Sequence, residues 1–153
     1  MKSTSALARL AILAAILLAP CAGCGERGDP IRATLDRIVR AAHDRDESAV
    51  AACLAPEYRD ATGGGREEIE RTLRGYFAAY DVVNVTLSHV EIERAERAAR
   101  ARFRAVLSAQ PAKAAGLAGL LPSSAAYRFD VRLVPSGSRW KVAWASWEPD
   151  ESR

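Results

Sequence analysis

The sequence predicts an α+β domain in which three N-terminal helices pack on one face of an antiparallel sheet of about four strands. Two hydrophobic patterns, which meet near residue 80, predict it. Between residues 30 and 80, apolar side chains recur every three or four positions, which is the period of helices with one buried face. After residue 80, apolar and polar side chains alternate, which is the period of half-buried strands. A chain of 153 residues is long enough for one such domain with a hydrophobic core.

The first two helices are predicted from their caps. Asp29 and Pro30 begin the first, because aspartate caps helix N-termini and proline is favoured in the first turn. Its apolar stripe is Ile31, Leu35, Ile38, Val39 and Ala42. Asp46 caps a second, shorter helix predicted through Leu54, and Pro56 prevents its continuation.

A turn-rich connection, EYRDATGGG, is predicted to lead into the third helix, REEIERTLRGYFAAY. The apolar stripe of this helix is Ile69, Leu73, Phe77 and Tyr80. The stretch TGGGRE could cradle a phosphate at a helix N-terminus. It lacks the Lys-Ser/Thr ending and the preceding strand of a P-loop, so we interpret it as a turn.

The first predicted strand, DVVNVTLSHVEIE, carries an irregularity. Three of its apolar side chains share one face: Val83, Val85 and Leu87. Val90 and Ile92 are out of phase with them, which predicts a β-bulge near Ser88 and His89.

Three further strands follow, AARARFRAVLSA, AYRFDVRLV and RWKVAWASWE, the last two joined by the hairpin turn PSGS. In the first of these, Arg100, Arg102 and Arg104 form a stripe that we interpret as a solvated face partly balanced by acids on neighbouring strands; contact with anionic lipid headgroups is the alternative. In the last, Trp140, Val142 and Trp144 are predicted to share one face, as core or as a pocket wall. Residues 110–124 are a long connection that could cap the fold, touch a membrane, bind a partner or simply pack on the domain.

The N-terminus has the layout of a secretory signal peptide. Lys2 and Arg9 precede an apolar run of about ten residues, and small residues follow. This run is too short for a transmembrane helix, which needs about 20 residues.

The segment CAGC resembles the lipobox of bacterial lipoproteins, in which small residues precede an obligatory cysteine. Ala22 and Gly23 fit the positions before Cys24, while Cys21 stands where leucine is commonest. Cys21 is a poor alternative acceptor because Pro20 would lie at the cleaved bond. The resemblance implies a diacylglycerol on the sulfur of Cys24, cleavage before it, and acylation, typically with palmitate, of the new amino group.

This resemblance divides the chain into a signal peptide (1–23), a lipidated tether (24–29) and a folded domain (30–150). Two or more acyl chains hold a protein stably on a bilayer. Gly25 follows the lipid site in place of the aspartate that commonly retains such proteins at the inner membrane. We therefore expect an envelope protein facing the periplasm, with the outer membrane favoured over the inner membrane.

The net charge and the cysteine content exclude some classes of partner and of chemistry. The chain carries a formal +3, and loss of Lys2 and Arg9 with the leader lowers this to about +1, which argues against nucleic acid. After cleavage Cys53 is the remaining free thiol, and we interpret it as a small buried hydrophobe rather than a nucleophile. No metal-ligand spacing is present in the sequence, so neither a metal nor another cofactor is expected.

The order of the helices, the connection LAPEYRDATGGGREEIERTLRGYF and the closing hairpin SGSRWKVAWASWE resemble the nuclear transport factor 2-like, or SnoaL-like, superfamily. The resemblance spans about residues 30–149. It implies a cone-like fold in which a curved sheet wraps the helices and encloses a pocket. Such cones serve as enzymes, ligand binders and interaction modules, so the fold does not choose the function.

Enzymes of that superfamily usually hold an acid–base pair inside the cone, such as His with Asp or Asp with Tyr. His43 is expected at the surface, where it ends the first helix. His89 lies at the predicted bulge without an identified carboxylate partner, so we assign no catalytic residue. The residues expected to line a pocket are Tyr58, Tyr76, Tyr80, His89 and Trp144.

The sequence therefore predicts a membrane-anchored lipoprotein with a small binding domain, non-catalytic, whose partner is an envelope protein or a small apolar ligand. The alternative is a small pocket enzyme of hydrolase or isomerase type that acts on an apolar substrate. A third hypothesis is that the protein is a structural component of the envelope. An interior His89 touching a carboxylate would favour the enzyme, whereas an interior filled by Phe103, Phe129 and the tryptophans would favour binding through the outer surface.

The lipid anchor gives the first testable prediction. In a bacterial host, Cys24→Ser should accumulate as an unprocessed precursor that takes up no radiolabelled palmitate, because the acceptor sulfur is gone. Cys53→Ser is the matched control and should be processed and labelled like the wild type. A Cys24→Ser protein that reached the mature size would contradict the anchor.

Overall fold

The computed structural model describes residues 28–112 and 124–151, and it contains three helices and five strands. The signal peptide, most of the tether and most of the 110–124 connection lie outside the described residues. The helices are α1 (Pro30–His43), α2 (Glu47–Ala52) and α3 (Arg66–Ala79). The strands are β1 (Leu54–Asp60), β2 (Tyr80–Arg94), β3 (Ala99–Pro111), β4 (Ser124–Ser136) and β5 (Arg139–Pro149). The predicted α+β class with three helices is confirmed.

The five strands form one sheet in the order β1-β5-β4-β3-β2. β2 to β5 are antiparallel neighbours, whereas β1 runs parallel to β5 at the edge. No helix among the described residues combines the length and the apolar character needed to cross a bilayer.

β1 corrects the prediction of about four strands. It occupies residues expected to end the second helix and begin a turn, and α2 instead ends at Ala52. Pro56 is tolerated within β1 because the strand lies at a sheet edge, where a missing backbone N–H leaves fewer ladder bonds unmade. The strand is held by its partner: Arg59 pairs with Trp144, and the backbone N–H of Val142 donates to the carbonyl of Cys53 at 3.0 Å.

The predicted caps of α1 and α2 are confirmed. The Asp29 carboxylate accepts from the N–H of Ile31 at 3.0 Å, and the Asp46 carboxylate accepts from the N–H of Ala49 at 2.8 Å. α1 is then tied to the sheet by Thr34, a fully buried side chain whose hydroxyl donates to the carbonyl of Trp140 at 2.9 Å. α1 therefore lies fixed against β5.

The glycine turn after β1 is built around a buried carboxylate. Asp60 Oδ1 accepts from the N–H of Thr62 at 2.8 Å, from the Thr62 hydroxyl at 2.6 Å and from the N–H of Gly64 at 2.9 Å. A Cβ on Gly64 would lie 2.5 Å from Asp60 Oδ2, so the chain can close on the carboxylate only with glycine there. The turn interpretation is confirmed, although a strand does precede it.

Two bulges decide which side chains face the helices. The predicted bulge in β2 is confirmed: the register shifts between Ser88 and Glu91, and His89 has a φ of 51°. A second bulge in β5 was not predicted. Val142 pairs with Leu133 and Trp144 with Arg132, which leaves Ala143 as the extra residue.

The β5 bulge corrects the expectation that Trp140, Val142 and Trp144 share one face. Directly paired residues lie on the same face of a sheet. Leu133 is fully buried and its neighbour Arg132 is exposed, so their partners Val142 and Trp144 lie on opposite faces. Trp144 consequently lies on the outer face, with the Arg132 guanidinium 4.7 Å from its ring centroid.

The core lies between α1 and the inner face of the sheet. Its buried members are Ile31, Leu35, Leu54, Tyr58, Ala99, Ala101, Val131, Leu133, Val142 and Ala145. A second cluster joins α3 to strands β2 and β3 and contains Phe77, Tyr80, Val83 and Ala109. Cys53 is buried, in agreement with its interpretation as a small hydrophobe, and its Sγ lies 3.5 Å from the carbonyl oxygen of Ala49.

Replacement of the buried carboxylate should destabilise the fold in a pH-dependent manner. The hydrogen bond from the Thr62 hydroxyl is the largest cause that lowers the pKa of Asp60. A lowered folded-state pKa stabilises the protein above the unfolded pKa of about 4, and this stabilisation is lost as the pH falls through the lower folded value. We expect Asp60→Asn to reduce the free energy of unfolding at pH 7 by about 1–3 kcal/mol, measured by urea unfolding.

The difference between the wild type and Asp60→Asn should then shrink as the pH is lowered below about 4. A difference that stays constant throughout the acid range would show that the charge of Asp60 does not stabilise the turn.

Candidate ligand-binding cavity

A cavity of about 400 Å³ lies between the helices and the inner face of the sheet. All three helices and all five strands contribute to its wall, which is almost entirely aliphatic and aromatic. The polar groups that the described residues bring to it are the hydroxyls of Tyr58, Thr72, Tyr76 and Tyr127 and the indole of Trp147. None of the described lining residues is charged, and none is histidine.

The sheet places an aromatic row across this wall. Phe103, Phe129 and Trp147 are directly paired on β3, β4 and β5, so their side chains lie on one face. The rings of Phe103 and Phe129 are stacked with centroids 5.3 Å apart, and Phe129 lies 6.0 Å from Trp147. Ala105 follows this row on β3, and its small side chain leaves space in front of it.

Among the described residues, the wall of the cavity is buried at one end and partly exposed at the other. Leu133 and Val142 are 0% and 3% exposed, whereas Trp147, further along β5, is 42% exposed. Tyr127 lies on β4, at the end of that strand next to Trp147 of β5, and is half-buried. Among the described residues, exposure therefore rises towards an aromatic mouth formed by Tyr127 and Trp147.

Tyr58 carries a buried hydroxyl in this wall. The residue is 2% exposed, and among the described residues its hydroxyl has no hydrogen-bond partner. Tyr58 is one of the residues that line the cavity, so a molecule held there would lie against it. Burial, with the nearby charge of Asp60, raises the pKa of Tyr58 to about 12.

Tyr76, a second tyrosine of the cavity wall, packs against Tyr80. Its ring centroid lies 4.5 Å from that of Tyr80. Burial first, and then the proximity of Tyr80 and Tyr127, raise the pKa of Tyr76. Both Tyr58 and Tyr76 therefore remain neutral phenols at physiological pH.

No protein-family model and no curated protein matches the sequence. Solved structures do match in fold. A candidate scytalone dehydratase from Novosphingobium aromaticivorans DSM 12444 superposes with a TM-score of 0.69 at 15% identity, covering 79% of this chain and 82% of that one. A nuclear transport factor 2-like superfamily protein from Salmonella enterica superposes with a TM-score of 0.64 at 14% identity, covering 80% and 89%. The domain has the nuclear transport factor 2-like fold.

A candidate dehydratase from the same fold family in Streptomyces avermitilis gives a TM-score of 0.66 at 12% identity, covering 80% of this chain and 96% of that one. At such identities the likeness concerns the fold alone. What the cavity of this protein can bind or catalyse depends on its own side chains.

Of the five residues expected to line a pocket, the structure places two in the wall of the cavity and three elsewhere. Tyr58 and Tyr76 line the cavity. Tyr80 is 1% exposed and packs behind Tyr76, outside the lining. His89 is exposed and lies in a groove on the outer face, and Trp144 lies on that face beneath Arg132.

Sequence reasoning missed Trp147 and Tyr127. Trp147 points inward because the β5 bulge shifts the alternation that begins at Trp140, and the sequence carries no signal for that bulge. Tyr127 could have been found, since it alternates with Phe129, Val131 and Leu133 on the predicted apolar face of β4.

The arginine stripe lies on the outer face of the cone, where carboxylates neutralise its charge. Arg100 binds Asp130, Arg104 binds Asp150, and Arg102 lies near Glu91 and Glu93. The predicted balance by neighbouring strands is thus confirmed, and the guanidinium of Arg100 lowers the pKa of Asp130. No group of three or more potential metal ligands occurs in the described residues.

Proposed function

We propose that this protein is a lipoprotein of the bacterial envelope, anchored through Cys24, whose cone binds a small apolar molecule without transforming it. The observation that supports this function is the cavity of about 400 Å³ with an aliphatic and aromatic wall. Small-molecule sites typically measure about 300–1,000 Å³ and are lined mainly by apolar side chains. A ligand that fills such a space gains about 25 cal/mol for each Å² of apolar surface removed from water.

The wall favours binding over acid–base catalysis. A general acid or base works best with a pKa near the operating pH and within hydrogen-bond reach of the substrate. The described wall offers hydroxyl groups, and that of Tyr58 has a pKa of about 12. His89, the histidine considered for this role, lies on the outer face.

A small pocket enzyme of hydrolase or isomerase type is the second candidate. Two of the similar structures are described as candidate dehydratases, and Tyr58 lies near the carboxylate of Asp60. Against this role, Asp60 Oδ1 is already engaged by three donors in the glycine turn. An enzyme would return its ligand with a changed mass, whereas a binding protein would return it unchanged.

The anchor would keep the cavity near the bilayer. α1 begins at Pro30, six positions after Cys24. Even fully extended, such a tether reaches about 20 Å. We therefore expect the ligand to be a molecule that partitions into membranes. The apolar wall of the cavity suits such a molecule.

The binding function predicts opposite outcomes for one substitution made on the two faces of the sheet. Ala105→Leu fills part of the cavity, whereas Ala126→Leu adds the same atoms on the outer face of β4. Full-length protein released from lipid nanodiscs in native mass spectrometry should carry a discrete mass that disappears on denaturation. We expect Ala105→Leu to lower the occupied fraction about tenfold or more and Ala126→Leu to leave it unchanged.

A bare mass for the wild type, or equal occupancy in the two variants, would contradict binding in the cavity. Incubation of the released ligand with fresh protein then separates the two candidates, because a changed ligand mass would establish the enzyme.

A further inference from the structure

The buried phenol of Tyr58 is the polar feature of the cavity that the apolar wall does not explain. A tyrosine in a core normally finds a hydrogen-bond partner, because a buried hydroxyl left without one loses the bond it made to water. Tyr58 is 2% exposed, belongs to the main core cluster and has no such partner among the described residues. A phenylalanine would fill the same space without that loss.

The surroundings of Tyr58 define the partner that would complete it. Burial and the charge of Asp60 keep the phenol protonated, so it has an O–H to donate. The described wall offers no cation to accompany an anionic acceptor, and the carboxylate of Asp60 nearby opposes a second negative charge. The fitting acceptor is therefore an uncharged oxygen.

The position of Tyr58 also orients the ligand. Tyr58 packs in the buried part of the described wall with Leu35, Val142 and Ala145, whereas Tyr127 and Trp147 lie at its more exposed end. A ligand whose oxygen lies at Tyr58 would therefore place its hydrocarbon skeleton along the aromatic row of the same wall.

On the basis of the proposed function, we propose that the ligand is a neutral molecule with a carbonyl or ether oxygen on an otherwise apolar skeleton, and that the Tyr58 hydroxyl donates a hydrogen bond to that oxygen. Tyr58 is thus a specificity-determining residue, while the apolar wall supplies the general affinity.

Two probes of nearly equal shape test this proposal: 2-acetylnaphthalene and 2-isopropenylnaphthalene, in which a methylene group replaces the carbonyl oxygen. Titration calorimetry of the full-length protein in nanodiscs, corrected with empty nanodiscs, gives both dissociation constants. We expect the wild type to prefer the ketone over the hydrocarbon, after correction for their different partition from water. Tyr58→Phe should weaken ketone binding about tenfold and change hydrocarbon binding less than twofold.

Tyr80→Phe is the matched control, since it removes the same hydroxyl from a buried tyrosine that packs on Tyr76 outside the cavity lining. It should preserve the ketone preference. The infrared carbonyl band of the bound ketone gives a readout that packing alone would not move: it should lie at lower wavenumber in the wild type than in Tyr58→Phe.

Three outcomes would overturn the inference: no ketone preference in the wild type, equal loss of both probes in Tyr58→Phe, or the same carbonyl band in both proteins. The first includes the case in which a trapped water completes Tyr58. Hydrocarbon binding that persists in any of these cases leaves the apolar cavity standing, whereas failure of both probes to bind the wild type would overturn the proposed function as well.

Discussion

The parallel pairing of β1 with β5 is the contact on which the rest of the cone depends. This seven-residue strand joins the helical half of the chain to the far edge of the sheet. It carries Tyr58 into the cavity and Asp60 into the glycine turn, and that turn starts α3, which forms another wall. Without the pairing, the buried phenol, the buried carboxylate and the orientation of α3 would each lose their support.

Local patterns predicted most of the fold. The caps at Asp29 and Asp46, the change from helical to strand period at Tyr80 and the bulge at His89 all arise from neighbouring residues, and all are present. β1 could not be found in this way, because its pairing joins residues about 85 positions apart in the sequence and its proline resembles a turn signal.

The candidate site was less predictable than the fold because its lining depends on register. One unpredicted extra residue, Ala143, exchanges Trp144 for Trp147 as the tryptophan that faces the helices. A strand without the bulge would also turn Glu148 towards the apolar wall, at the cost of burying its charge. The aromatic residues of the pocket could be counted from the sequence, but the side of the sheet that each would face could not.

The same bulge distributes the three tryptophans over three environments. Trp140 packs against the closed core, Trp144 lies beneath a guanidinium on the outer face, and Trp147 stands at the mouth of the cavity. Indole emission responds to polarity, to nearby charge and to collisional quenchers. The chain therefore contains its own optical reporters, and single-tryptophan variants would follow the core, the charged face and the ligand entrance separately, without any attached dye.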